Sequence, residues 1–147
     1  MRIDAFLRES PVFAVTRAAR SFESLSARTL AADDLTFLEG LLLAALFFEA
    51  PKPVKPSQLS EVFRTSRGNI SHCISTLESR GLLQRRIDPD DARVFLLALR
   101  PQGKRIALRV IAIFDEMQKA FEKQAGKPAL RSMLGTLARL EELNGAG

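Results

Sequence analysis

Apolar residues recur every three or four positions at Val12, Phe13, Val15, Ala19, Phe22 and Leu25, which predicts a helix. Ser10-Pro11 stands in front of it: a capping side chain, then proline at the first helical position. The next stretch, LTFLEGLLLAALFFEA (Leu35 to Ala50), is apolar on nearly every face and predicts a buried helix, with Asp33 or Asp34 as its cap. PKPVKP follows, and three prolines in six residues are expected to make a short, stiff linker.

The pattern then shortens. In SQLSEVFRTSRGNISHCISTLESRGLLQ, Ser57 is expected to cap a short helix with Leu59, Val62 and Phe63 inside. Arg64-Thr65 is a break, and Ser66 is the cap of a second helix. Its apolar positions Ile70, Cys73, Ile74 and Leu77 follow i, i+3, i+4, i+7. Gly81 ends it, because glycine tolerates the left-handed conformation there, and Leu82 folds back as the hydrophobic contact. Two short helices joined by a tight turn make a helix-turn-helix. Two strands follow, at about Leu83–Ile87 and Val94–Leu99, joined by the charged turn DPDDAR. Pro101 opens a long helix to about Gln124, striped by Ile106, Val110, Ile113, Phe114, Met117 and Phe121. Gly126-Lys127-Pro128 breaks it, and a last helix carries Leu130, Met133, Leu134, Leu137 and Leu140.

The expected fold is therefore mainly α with a small β-hairpin wing, a winged helix-turn-helix. The expected organisation is N-terminal helices over 1–50, the winged helix over 51–100 and C-terminal helices over 101–147. The end helices carry more apolar surface than so small a core can cover. A second copy would cover it, in a two-fold dimer; packing of the end helices on each other is the alternative.

Charge sharpens the picture. The chain of 147 residues has a net charge of +5, but residues 50–109 hold 12 Lys/Arg against 5 Asp/Glu, a net of +7, and the rest holds 10 against 12. A positive field confined to the middle segment suits a polyanion. The longest apolar run, Leu41 to Phe48, is far shorter than the roughly 20 residues that span a bilayer. No signal-peptide core opens the chain, and its single cysteine excludes an internal disulfide. No membrane association and a cytoplasmic location are the expectation.

PSQLSEVFRTSRGNISHCISTLESRGLLQRRIDPDDARVFLLALRPQGKRI, Pro56 to Ile106, resembles the MarR family of bacterial transcription regulators. The likeness lies in the helix-turn-helix, the helix end L-E-S-R-G-L-L, the D-P-x-D-x-R turn and the strand leading to P-x-G. It implies a homodimer, a repressor bound to a pseudo-palindromic operator in double-stranded DNA and released by a small-molecule effector. It also implies that Asp91 braces Arg93, which enters the minor groove; a narrow, negative A·T-rich groove attracts such an arginine. The second helix of the motif is expected in the major groove, presenting Ser66, Arg67, Asn69, Ser71 and His72. Arg67 can bridge guanine O6 and N7, and Asn69 can meet adenine or a phosphate. His72 stands where the family often has arginine. Arg85 and Arg86 are candidates for phosphates beside the wing, with one turned away because strand neighbours alternate. Asp88 and Asp90 are expected to shape the turn, while Ser75 and Thr76 read as solvated polar residues. Three positions depart from the family pattern. Arg64 replaces a turn glycine, Arg100 replaces a capping threonine, and Ala92 replaces a frequent wing arginine.

Other chemistry has little to work with. One His, one Cys and no Tyr leave few acid–base or nucleophile pairs, and Cys73 and His72 diverge as helix neighbours. A zinc site needs three or four ligands, so no enzyme activity, metal or cofactor is expected. Cys73 reads as a small core residue. No ligand pocket is assigned; Phe22, Phe37 and Phe47 would line one or belong to the core. The alternative functions are a protein-interaction winged helix, or non-specific architectural DNA binding. The basic cluster Arg67, Arg85, Arg86 and Arg93 argues against the former.

Overall fold

The computed structural model, which describes residues 2–144, is mostly helical, with two strands forming one small hairpin. The order is α1 (Arg2–Glu9), α2 (Pro11–Leu30), a 3-10 turn (Ala31–Asp33), α3 (Phe37–Glu49), α4 (Pro56–Val62) and α5 (Arg67–Ser79). Then come β1 (Leu83–Ile87), β2 (Phe95–Leu99), α6 (Pro101–Ala125), α7 (Lys127–Glu141) and a 3-10 turn (Glu142–Asn144). The chain forms two compact units, residues 1–110 and 111–147. The N-terminal helices share the first unit with the winged helix-turn-helix, since α3 packs on both α5 and β2. No helix among the described residues is long and apolar enough to cross a membrane.

The core of the first unit forms where the periodicity places it. Leu42, Leu43 and Leu46 of α3 are buried with Ile70, Cys73, Ile74 and Leu77 of α5. Leu82, Leu83 and Leu97 of the hairpin and Ile106 and Val110 of α6 are buried as well. Leu77 has no exposed surface, and truncating such a residue to alanine costs about 2–5 kcal/mol.

Several local expectations are corrected. Residues 2–9 form α1, for which no helix was predicted. Neither Asp33 nor Asp34 caps α3. Thr36 does so: its Oγ1 accepts from Glu39 N–H at 3.2 Å, and Glu39 Oε2 accepts from Thr36 N–H at 3.1 Å. Asp34 instead closes the preceding turn with φ 54°. The 51–56 stretch is more than a linker, because Val54 pairs with Leu97 through two backbone hydrogen bonds of 3.1 and 2.8 Å. Pro56 is already helical, so Ser57 is not the cap; Lys55 occupies that position, and Gln58 Oε1 accepts from its N–H at 2.9 Å. Val62 is 72% exposed and does not face the core as expected, whereas Leu59 does. Among the described residues the Ser10 side chain makes no capping bond to α2. β2 begins at Phe95, one residue later than expected.

Candidate nucleic-acid interface

The second helix of the motif is set by its own ends. Arg64 closes the turn before it at φ 49°, the left-handed region the glycine-replacing position calls for, at a strain of roughly 1 kcal/mol. Ser66 then caps α5, its Oγ accepting from Asn69 N–H at 3.1 Å. The first turn, Arg67-Gly68-Asn69-Ile70, carries no carboxylate, so the positive end of the helix dipole is not opposed. At the other end, Leu82 N–H donates to Leu77 O at 3.0 Å and Gly81 N–H to Glu78 O at 2.9 Å. With Gly81 at φ 71°, these two bonds form a Schellman closure.

Burial of one face exposes the other. Ser66, Arg67, Asn69, Ser71, His72 and Ser75 are all exposed along α5, so the structure brings the five predicted recognition-helix residues onto one outer surface. Arg67 has no intramolecular partner among the described residues. Asn69 uses one amide hydrogen on Thr65 Oγ1 at 3.0 Å. Ser66 is exposed but its oxygen already serves as the cap.

The C-terminal end of α5 is anchored by Arg80, a residue sequence reasoning passed over. Its guanidinium donates to Asp34 O and Asp33 O, each at 2.7 Å. The Asp33 carboxylate pairs in turn with Arg109 of α6, whose hydrogen bonds hold its pKa below the usual aspartate value. The turn before α3, the end of α5 and the start of α6 are thereby joined.

The hairpin pairs Leu83 with Leu99, Arg85 with Leu97, and Ile87 with Phe95, and these residues share one face. Gln84 and Arg86 occupy the other. Arg86 is exposed and lies against the Gln84 amide; with that amide turned so that its oxygen faces the guanidinium, the oxygen accepts from Arg86 Nε and Nη2 at 3.2 and 2.7 Å. Arg85 turns onto α5: Nη2 donates to Ser75 Oγ at 2.9 Å, and Nε lies 3.4 Å from Glu78 Oε1. Its backbone N–H donates to Glu78 Oε2 at 3.1 Å, and its guanidinium carbon sits 5.9 Å from the Phe95 ring centre.

The turn is built on aspartates. Asp88, buried, accepts from Asp90 N–H at 2.9 Å through Oδ1, and Lys55 Nζ is 3.6 Å from Oδ2. Asp91 Oδ1 accepts from both Arg93 N–H at 3.0 Å and Arg93 Nε at 3.1 Å, and Oδ2 accepts from Nη2 at 3.4 Å. These bonds to Arg93 lower the Asp91 pKa. Arg93 itself stays 90% exposed. A surface pair adds little to stability. What this one does is hold a long, charged side chain outward from the tip of the wing.

Arg100 sits at the β2–α6 junction, where its N–H donates to Leu82 O at 2.9 Å. Gly103 explains the P-x-G spacing: a Cβ there would lie 1.8 Å from Leu82 O. Cys73 is a buried free thiol whose pKa is raised by burial and then by the charge of Glu39. Among the described residues no group of three or more His, Cys, Asp or Glu could hold a metal. The roles of Ser75 and Glu78 as partners of Arg85 were not anticipated; the i+3 spacing of Ser75 and Glu78 on one helix face was the available signal.

Comparison with known proteins places this arrangement. Residues 49–95 match the sequence model of the MarR family. The chain is 28% identical over 120 residues to the HTH-type transcriptional regulator YdcH of Bacillus subtilis, covering 80% of this chain and 82% of YdcH. Its fold resembles that of S. aureus MepR in a DNA complex, with TM-score 0.82, 17% identity, 90% of this chain and 95% of that one. A "probable transcriptional regulator" of Pseudomonas aeruginosa is 28% identical, with TM-score 0.78 over 91% of this chain and 98% of that one. The segment over residues 49–95, which carries the helix-turn-helix and most of the wing, is thus similar to the MarR family.

Proposed function

We propose that the chain is a cytoplasmic, sequence-specific transcriptional regulator, a repressor that acts as a homodimer on a pseudo-palindromic operator. The observation that carries the reading is the pairing of two surfaces. The exposed polar face of α5, with Arg67 at its unopposed N-terminus, stands beside a wing whose Arg93 is held outward by Asp91. In this reading α5 lies in the major groove, where Arg67, Asn69, Ser71 and His72 meet base edges or phosphates, and Arg93 enters the minor groove. Arg86 lies on the exposed side of β1, within the positive middle segment that a polyanion requires. The crystal structure of MepR, a protein of similar fold, in complex with DNA supports it.

The dimer is supported by large apolar side chains left exposed. They run along α1 and α2 at Ile3, Phe6, Val12 and Val15, and along α7 at Met133, Leu134 and Leu140. A second copy would bury them. Release by a small-molecule effector follows from the family resemblance.

The test is a binding-site selection from random duplexes with sedimentation of the free and bound protein. Two protomers per duplex and half-sites about one helical turn apart support the reading. A monomer that selects no consensus overturns it.

A further inference from the structure

We infer that Arg85 is a positioning residue for DNA recognition, one that sets the angle between the wing and α5 and does not itself contact phosphate. The inference rests on the proposed reading of α5 and the wing as a DNA-binding pair, and deepens it by naming what holds the two surfaces in register.

Five observations carry it. The base of the hairpin is fixed by burial, at Leu83 and Leu97. Further out the same face loses its support, because Ile87 is 62% and Phe95 47% exposed. Arg85 stands between these regions, and its guanidinium reaches two residues of α5 one helical turn apart, Ser75 at 2.9 Å and Glu78 at 3.4 Å. Its own N–H adds a third tie, to the other Glu78 oxygen at 3.1 Å. Finally, the Glu78 carboxylate beside the guanidinium offsets its charge, which weakens its attraction for a phosphate. The arginine fork suits this two-point contact, and lysine could not reproduce it.

The lever arm shows why the angle matters. The register pairs Ile87 with Phe95, so Arg93 lies about three to four residue positions beyond Arg85 along the hairpin. At about 3.3 Å per residue that is roughly 10–13 Å. A tilt of about 10° at Arg85 would then move Arg93 by about 2 Å, a large error for a side chain entering a groove about 6 Å wide. Phosphates can still be met after such a shift, but the bases read by α5 and the groove entered by Arg93 no longer match one another. The expected consequence is lost discrimination, with general attraction to DNA kept.

The experiment compares wild type, Arg85→Met, Ser75→Ala and the double variant on the selected operator and on scrambled duplex, across a salt series. Thermal unfolding is recorded for each. The inference expects both single variants to stay folded and to lose about tenfold in the operator-to-scramble ratio. The slope of log affinity against log salt stays at the wild-type value, and the double variant is no worse than the poorer single. A phosphate contact gives a different result. Arg85→Met then lowers the slope by about 1.8, about 0.9 for each of the two protomers on the duplex, and weakens both duplexes equally, while Ser75→Ala behaves as wild type. A purely structural role lowers the unfolding temperature and leaves the ratio unchanged. Either result overturns the inference, as does an unchanged ratio in both variants. Absence of operator preference in the wild type itself would instead overturn the reading of the chain as a specific regulator, and the inference with it.

Discussion

Gly103→Ala tests how the recognition helix, the wing and α6 are joined. A Cβ at this position would lie 1.8 Å from Leu82 O, 2.8 Å from Leu82 C and 3.3 Å from Leu82 Cα. A carbon–oxygen contact needs about 3.3 Å, so the two backbones must separate by roughly 1.5 Å. No side-chain rotation relieves this, because the obstacle is main chain. Leu82 is also where three elements meet: its N–H closes α5 on Leu77 O, its carbonyl accepts from Arg100 N–H, and its side chain is buried. Overpacking costs about 1–3 kcal/mol, and the upper end or beyond is expected here. For a chain of this length, a loss of about 3 kcal/mol lowers the unfolding temperature by roughly 6–12 °C. Gly68→Ala is the control. Its Cβ would meet only Ser66 Oγ at 3.8 Å, so the same chemical change relieves glycine's helix penalty and is neutral or stabilising by up to about 1 kcal/mol. Urea titrations without DNA, at one protein concentration, compare the two. A Gly103→Ala protein as stable as wild type would refute the close β-wing to α6 junction.

Other expectations concern the interface directly. Arg93→Ala should weaken operator binding at least about tenfold while sedimentation still shows the wild-type oligomer; unchanged affinity would remove the wing from the interface. Asp91→Asn offers a test of sign: removing a negative charge near DNA should raise affinity, yet loss of the brace on Arg93 should lower it, and a titration that shows tighter binding would count against the brace. Arg67→Ala should relax base preference at one position per half-site, since bidentate contacts discriminate by about 1–3 kcal/mol; an identical consensus on repeated selection would contradict that role. Asp33 has its pKa lowered by Arg109, so its contribution to stability is present above the ordinary aspartate pKa and is lost as pH falls through the lowered value. The stability gap between wild type and Asp33→Asn should therefore narrow from neutral pH to roughly pH 3, as read from urea midpoints. A constant gap would mean the pair does not stabilise the turn.

The parts of the fold legible in the sequence are those governed by local rules. The i, i+3, i+4, i+7 spacing placed Ile70, Cys73, Ile74 and Leu77 inside, and Gly81 stopped α5 where a left-handed residue was required. Arg64 adopting φ 49° shows that backbone position can be read even when the residue is unfavourable. Errors arose where competing local signals had to be ranked. Thr36-x-x-Glu39 is a capping-box pattern that outranks two adjacent aspartates, and Pro56 marks a first helical position better than Ser57 marks a cap. Val54 and α1 were missed for different reasons. A single bridge residue inside a proline-rich stretch has no periodicity, and its pairing with Leu97 is a tertiary fact. In α1 the pattern is one short stripe, with Ile3 and Phe6 one turn apart.

The same division applies to the candidate site. The outer face of α5 and the Asp91–Arg93 pair are close in sequence and could be anticipated. Whether Arg85 or Arg86 turned away could not be, because strand alternation says only that the two differ. The side chains of Ser75 and Glu78, ten and seven residues upstream, are what engage Arg85. Arg80 was silent for a similar reason: its partners, the carbonyls of Asp33 and Asp34, lie more than forty positions away.

The most direct measurement of the central claim is the affinity of the wild-type protein for its selected operator and for a scrambled duplex of equal length, titrated side by side at physiological salt. An operator-specific regulator should prefer the operator by at least about 10³-fold. Affinities within about tenfold of one another would contradict specific recognition by α5 and the wing, and would leave general binding to the DNA backbone as the property of this basic surface.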